Sequence, residues 1–304
     1  MEEIMESLNS EFQKLNAKLR TTSIDHLSEL KEEIISLLNE RKISKKFYDR
    51  ELSFFQFEKP LDLPDTRSVI IIAIPQKITL VNFRHNGEDH LVVIPPTYIY
   101  GEVRDKCMAI LSGIFNKTEN TVKRALLPLK LLSVRSGLGR YGRNNISYVE
   151  GMGSFHRLEA FYTDYPFLVD NWQKKEMMES CIDCSLCIKA CPTKAILPDR
   201  FLFNVERCIT YFNEDEDSFP DWIDSGFHNA LVGCMRCQLA CPENREFVGK
   251  KEIGESFSEE ETEMILKDVS YDVLPDKLIS KLKRLNMDEY YSVLPRNLKV
   301  IMRM

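Results

Sequence analysis

Cys181, Cys184, Cys187 and Cys191 stand at Cys-x2-Cys-x2-Cys-x3-Cys, with Pro192 directly after them. No other feature constrains what this chain can fold into so tightly. Three thiolates at these short intervals wrap three corners of one cubane cluster, while the cysteine before the proline turns to a second cluster. An altered second half follows at Cys234-x2-Cys237-x3-Cys241-Pro242, and Cys208 stands 26 residues before Cys234. The eight thiols divide into two sets: Cys181, Cys184, Cys187 and Cys241 for one 4Fe-4S cluster, and Cys191, Cys208, Cys234 and Cys237 for the other. The chemistry this implies is electron transfer.

Structural zinc also uses paired Cys-x2-Cys units. The string here is more specific than two separated knuckles, because it carries x2, x2 and x3 spacings and ends twice in Cys-Pro. A disulfide framework fits less well still. The N-terminus, MEEIMESLNSEF, has neither a basic nor an apolar signal region, so a reducing cytoplasm is expected. Cys107, the ninth cysteine, falls in a stretch that reads as a helix and is expected to be a small buried apolar residue.

With 304 residues and 43% hydrophobic content, the chain can bury one large core or two modest ones. Its longest apolar run, Val69 to Pro75, is far too short to span a bilayer, so no membrane partner is expected. A net charge of −6 argues against broad nucleic-acid binding. One local exception is Lys123 to Arg143, where Lys123, Arg124, Lys130, Arg135, Arg140 and Arg143 have no acidic residue among them. Such a run is either a solvated face or a seat for a phosphate or an acidic partner.

Ile4, Leu8, Phe12, Leu15 and Leu19 form one helical stripe, and Leu27, Leu30, Ile34 and Leu38 a second. Arg67 to Pro75 is a continuous β-branched run ended by proline, as in a strand buried on both faces. Thr79 to Phe83 and His90 to Ile94 are weaker strands; Tyr100 to Phe115 and Leu126 to Val134 read as helices. The segment from Asn145 to Asp164 is aromatic and β-rich. These elements predict an α+β or α/β domain over residues 1–172. A double-cluster domain over 173–250 and a helical tail over 251–304 follow, with Glu255 to Glu263 as an acidic linker and Leu274, Leu278, Leu282 and Leu285 as the tail's apolar stripe.

Before the cysteines lies Ser136-Gly-Leu-Gly-Arg-Tyr-Gly-Arg-Asn-Asn145. Its glycines at 137, 139 and 142 match Gly-x-Gly-x-x-Gly, but a dinucleotide fingerprint follows a strand and opens a helix. Here the string follows a helical stretch and leads into β-like sequence, so a Rossmann site is not expected. Glycines so placed still let backbone approach a bulky ligand.

Gly137-Leu-Gly-Arg-Tyr-Gly-Arg-Asn144, the Gly153-Ser154 step, Thr163-Asp164, the first cysteine run, Arg207-Cys-Ile-Thr-Tyr211 and Gly233-Cys-Met-Arg-Cys-Gln-Leu-Ala-Cys-Pro242 follow one another in a telling order. Over roughly residues 60–245 this order resembles that of epoxyqueuosine reductases, which in turn resemble the catalytic cores of reductive dehalogenases. The resemblance implies an α+β fold: a nitroreductase-like α/β domain that holds a cobalamin, a bacterial ferredoxin-like double-cluster domain that feeds it electrons, and a short helical tail. It implies that Gly137, Gly139, Gly142, Arg143 and Asn144 approach the corrin, and that Thr210 and Tyr211 lie between cluster and corrin. It further implies a ferredoxin or flavodoxin as electron donor.

The chain also departs from that family. The aspartate expected in an Asp-x-x-Pro context is Ala125, three before Pro128, and the tryptophan of the glycine string is Arg140. The helical-repeat tail that helps hold transfer RNA is reduced to short helices after Glu263. The expectation is therefore a corrinoid reductase of a small molecule or modified nucleoside other than epoxyqueuosine in tRNA, with Tyr98, Tyr141, His156 or Tyr162 as candidate proton donors. A two-cluster electron carrier or reductive activator without its own substrate is the alternative, and a tRNA epoxyqueuosine reductase the second.

Overall fold

The computed structural model describes residues 2–199 and 201–304. The chain forms two compact units, Met1–Pro75 with Val103–Cys184, and Gln76–Glu102 with Ser185–Met304. Up to residue 163 its elements are α1 (Glu2–Gln13), β1 (Lys18–Ser23), α2 (Leu27–Asn39), α3 (Lys45–Glu51), β2 (Ser68–Pro75), β3 (Ile78–His85), β4 (Glu88–Ile94), α4 (Gly101–Phe115), β5 (Val122–Arg124), α5 (Leu129–Arg135), β6 (Arg140–Tyr141), β7 (Ser147–Tyr148) and β8 (His156–Thr163). From residue 186 they are α6 (Leu186–Ala190), α7 (Ile209–Asn213), α8 (Arg236–Leu239), α9 (Arg245–Val248), β9 (Lys251–Phe257), α10 (Glu259–Leu266), α11 (Asp276–Arg284) and α12 (Leu294–Met302).

The first unit is built on a four-stranded sheet in the order β1-β2-β8-β5, each pair antiparallel. Side chains alternate across a strand. In β2, Val69, Ile71 and Ala73 therefore pack among Leu27, Leu30 and Ile34 of α2 and Leu131 and Leu132 of α5. Ile70, Ile72 and Ile74 face the other way, among Leu8 and Phe12 of α1 and Cys107, Leu111, Ile114 and Phe115 of α4. Helices thus cover both faces, which is why the strand reads as one unbroken β-branched run although its neighbours are antiparallel. Cys107 is fully buried, as its place in an apolar helix face requires.

The first helical stripe stops short of Leu19. α1 ends at Gln13, Asn16 turns the chain with a φ of 53°, and Leu19 enters strand β1 opposite Ile72. The following Thr21 and Thr22 are buried and β-branched, and favour the pleated conformation over a helix. The helix expected from Leu126 begins at Leu129, after Pro128 as N-cap. A residue before proline is pushed out of the helical region, which sets this boundary.

The second unit carries a three-stranded sheet in the order β4-β3-β9, with β3 and β4 antiparallel and β3 and β9 parallel. Asn86 and Gly87, both at positive φ, make the tight turn of the β3–β4 hairpin. This hairpin lies within the 1–172 range expected for the first domain, yet it belongs to the second unit. The reason is β9, which forms where an acidic linker was expected. Phe257 at its end stacks on Phe83 of β3, with ring centroids 4.7 Å apart and planes within 3°. Ser258 and Glu261 then close a capping box that starts α10. Leu278, Leu282, Leu294 and Leu298 of α11 and α12 complete the core with Val81, Phe83 and Ile94. Within that core Lys281 pairs with Glu261 at 2.6 Å and donates to the Ser256 carbonyl oxygen at 2.6 Å.

Candidate metal centre

The four thiols assigned to the second cluster all belong to the second unit. The charges of Cys191 and Cys208 both act on Cys234, and that of Cys191 acts on Cys208. Burial pushes the Cys234 thiol up to about 12, against the lowering effect of the Arg236 amide N–H. Burial raises Cys208 in the same way. A buried thiol resists ionisation unless a cation compensates the charge, and burial raises the core residue Cys107 to about 12 in the same way. No two of the nine cysteines form a disulfide.

Local hydrogen bonds hold two of these cysteines. Cys208 is the N-cap of α7, and its carbonyl oxygen accepts from the Tyr211 amide at 3.0 Å. Cys191 accepts from the Ala195 amide at 3.3 Å, with the Thr193 hydroxyl 3.5 Å away. Cys187 and Cys237 lie in the short helices α6 and α8, which pack on each other. Thr210 and Tyr211, expected between cluster and corrin, lie in the first turn of α7, where the Tyr211 amide donates to the Cys208 carbonyl oxygen and the Thr210 carbonyl oxygen accepts from the Glu214 amide at 3.2 Å. Among the described residues, no group of three or more His, Cys, Asp and Glu closes around a single-ion site.

Cys181 and Cys184 end the first unit, whereas Cys187 and Cys241 belong to the second. The Cys181 loop is anchored by Arg143, which donates to the Cys181 carbonyl oxygen from Nε at 3.2 Å and Nη2 at 2.7 Å, and from Nη2 to that of Ile182 at 2.9 Å. The guanidinium expected to meet a corrin is thus engaged with cysteine backbone.

The glycine string has a packing reason at each position. Gly137 has a φ of 68°. A Cβ on Gly139 would lie 2.6 Å from Ser147 Oγ and 2.9 Å from the Tyr148 carbonyl oxygen. On Gly142 it would lie 2.5 Å from Asn144 Oδ1 and 2.5 Å from Tyr148 Cε2. Asn144 in turn donates to the Tyr148 hydroxyl at 3.0 Å and accepts from the Ile146 amide at 3.3 Å. On Gly139 and Gly142 the space a Cβ would take is filled by the chain's own atoms.

The candidate proton donors are held in place. His156 is buried, its Nδ1 stands 3.1 Å from the Gly153 carbonyl oxygen, and burial lowers its pKa to about 4. It is neutral near pH 7. Tyr162 donates to the Gln56 carbonyl oxygen at 3.1 Å, and burial raises its pKa. Tyr141 is buried, with its pKa raised by burial and then by Glu33, and its backbone bonds to Glu176 and Met178. Tyr98 donates to Glu214. Ala125 is part of the core and gives its amide to the Ala160 carbonyl oxygen at 2.9 Å.

The basic run is not an open patch. Lys123 pairs with Asp62, Arg135 with Glu29 and Glu33, Arg140 with Glu176 at 3.7 Å, and Arg124 approaches Glu159 at 4.0 Å. Carboxylates distant in sequence supply the counter-charges that the run itself lacks.

One further group of side chains was not singled out from the sequence. Trp172 stacks on His26 with centroids 4.1 Å apart, lies 4.5 Å from the Arg135 guanidinium, and donates Nε1 to Glu29 at 3.0 Å. His26 bridges Glu29 and Asp170 at 2.7 Å each. That hydrogen bond from Trp172 is the main reason the Glu29 carboxyl sits below its usual range. Only the helical stripe of α2 hinted at this, by leaving Glu29 and Glu33 on one side.

Residues 180–244 match the family of 4Fe-4S double cluster binding domains. The chain is similar to an epoxyqueuosine reductase of Staphylococcus aureus, 26% identical over 234 residues, covering 74% of this chain and 60% of that one. Another from Cyclobacterium marinum is 37% identical over 159 residues, 49% of this chain and 50% of that one. The chain therefore spans about half to three-fifths of the length of these relatives. Among solved structures, an epoxyqueuosine reductase bound to a tRNA-Tyr epoxyqueuosine-modified stem loop aligns over 99% of this chain and 81% of its own, at a TM-score of 0.69 and 20% identity. That of Streptococcus thermophilus aligns over 99% and 80%, at 0.67 and 19%. The two structures share the fold of this chain. No helix among the described residues is long and apolar enough to cross a membrane.

Proposed function

We propose that this chain, a homologue of the epoxyqueuosine reductases, is an iron–sulfur reductase that passes electrons through two 4Fe-4S clusters to a corrinoid, and that it reduces a small molecule or modified nucleoside other than epoxyqueuosine. The observation that carries the iron–sulfur part is the match of residues 180–244 to a 4Fe-4S double cluster binding domain, which contains all eight cysteines of the two sets. Cubane clusters, when bound, accept and release single electrons at potentials set by net charge, hydrogen bonds to sulfur and exposure. The chain supplies part of those settings: an amide donor on the Cys191 sulfur and partial burial of Cys191, Cys208 and Cys234. We assign Cys181, Cys184, Cys187 and Cys241 to the first cluster by spacing. The electron donor in this reading is a ferredoxin or flavodoxin in a reducing cytoplasm.

The corrinoid, and a nitroreductase-like character for the first unit, rest on the ordered motifs shared with the family. Residues 137–144 do not offer a free cradle, since Gly139, Gly142 and Arg143 are occupied by the chain itself. The same observation favours the second reading, a two-cluster electron carrier or reductive activator serving a partner protein.

A substrate other than epoxyqueuosine is supported by Ala125, apolar and packed in the core where the family's proton-donating aspartate is expected. Transfer RNA, present as a stem loop with one solved relative, is the least supported partner, because the basic run is paired with carboxylates.

Anaerobic reconstitution with iron, sulfide and hydroxocobalamin, then desalting and metal analysis, tests the readings together. About eight irons and about one cobalt per chain establish the corrinoid reductase. About eight irons without cobalt leave the electron carrier. Absence of iron overturns both.

A further inference from the structure

The loop carrying Cys234 is braced from three directions inside the second unit. Gly233 has a φ of 67°, and its carbonyl oxygen accepts from Asn213 Nδ2 at 2.7 Å. Asn297, fully buried, donates to the carbonyl oxygens of Asn213 at 2.8 Å and Leu231 at 2.9 Å. The third brace is Tyr98, far upstream in sequence, just beyond the β3–β4 hairpin. A Cβ on Gly233 would lie 2.6 Å from Tyr98 Cε2 and 2.7 Å from its Cζ, so the phenol fills the space that glycine leaves.

The Tyr98 hydroxyl donates to the Glu214 carboxylate, and its ring meets Tyr290 edge-on at 5.5 Å. Burial first, then the charge of Glu214, hold its proton well above the ordinary tyrosine range, and the charge of Cys208 adds to this. Tyr98 therefore stays a neutral donor. It touches the residue before one ligand of the second cluster and lies within electrostatic reach of another.

We propose that Tyr98 and Glu214 are a positioning pair for the cluster assigned to Cys191, Cys208, Cys234 and Cys237: Tyr98 braces the Cys234 loop, and Glu214 sets a fixed negative charge that lowers the cluster's reduction potential. This rests on the cluster reading above. A negative charge near a cubane opposes the added electron, and net charge is one of the terms that set cluster potential. The segment that follows the hairpin is thereby part of the electron-transfer apparatus.

The test is a redox titration, monitored by electron paramagnetic resonance, of reconstituted wild type, Glu214→Gln and Tyr98→Phe. Glu214→Gln keeps the volume and an acceptor for the hydroxyl while removing the charge. Its iron content is expected to match wild type. One of two midpoints is expected to rise by about tenfold in the reduction equilibrium, about 59 mV for one electron, with the other unchanged. Tyr98→Phe is expected to displace the same midpoint; where that variant loses iron, Glu214→Gln decides. Two midpoints unchanged in Glu214→Gln, or both shifted together, overturn the inference. A wild type that binds no iron overturns the cluster reading instead.

Discussion

Arg143 grips the carbonyl oxygen of Cys181 with two nitrogens, Nε at 3.2 Å and Nη2 at 2.7 Å. A planar fork makes this contact and a lysine ammonium does not reproduce it. Hydrogen bonds from a charged donor contribute about 1.5–3 kcal/mol each. Arg143→Lys is therefore expected to loosen the Cys181 loop and reduce occupancy of the cluster it serves. Iron analysis after reconstitution should show a loss of up to about half, with one paramagnetic signal preserved. Unchanged iron with two intact signals would show that the loop keeps its shape without the fork.

Crossed ligation predicts which cysteines fall together. Cys241→Ala and Cys184→Ala should each remove the same signal and about half the iron. Cys208→Ala and Cys234→Ala should remove the other. If Cys241→Ala instead abolishes the signal lost in Cys234→Ala, the second half-motif binds its own cluster, and the division into two crossed sets fails.

Glycine at 139 and 142 is demanded by packing, so its replacement should be felt without any ligand. A Cβ on Gly139 meets the Tyr148 carbonyl oxygen at 2.9 Å, and backbone does not yield cheaply. Gly139→Ala is expected to cost about 1–3 kcal/mol, as overpacked sites do, read as a lower urea midpoint of the protein without added cofactor. A normal midpoint combined with lost cobalt binding would return the glycines to a ligand role.

The parts of this fold legible in sequence are those with a local cause. The cysteine spacing marks the cluster domain, and the β2 run announces burial on both faces because every residue from Val69 to Ile74 needs an apolar neighbour. What stayed hidden depends on contacts between distant segments. Nothing near Lys251 says that it will pair with Ile78, and nothing near Tyr98 says that it will brace Gly233. The basic run stayed ambiguous for the same reason. Its counter-charges, Asp62, Glu29 and Glu176, come from other stretches of chain. The glycine string resembled a ligand loop because close approach of backbone to a ligand and to its own side chains demands the same residue.

His156 makes stability depend on pH. Burial lowers its pKa from 6.5 to about 4 in the folded protein. Above pH 6.5 the ring is neutral whether folded or unfolded, and it adds no pH dependence. Below that the unfolded chain takes up a proton that the folded one refuses, so stability falls as pH falls and the loss is complete below about 4. At pH 5 the loss amounts to about 2 kcal/mol. His228, also lowered to about 4 by burial and then by Arg296 and Arg236, acts in the same direction. His156→Asn keeps a donor for the Gly153 carbonyl oxygen but cannot be charged. Urea unfolding of wild type and variant at pH 7.5 and pH 5 isolates the term, because His228 and the carboxylates are common to both proteins. Wild type should lose about 2 kcal/mol more than the variant on acidification. Equal losses would mean that His156 gains its proton in the folded state as readily as in the unfolded one, which its burial does not allow.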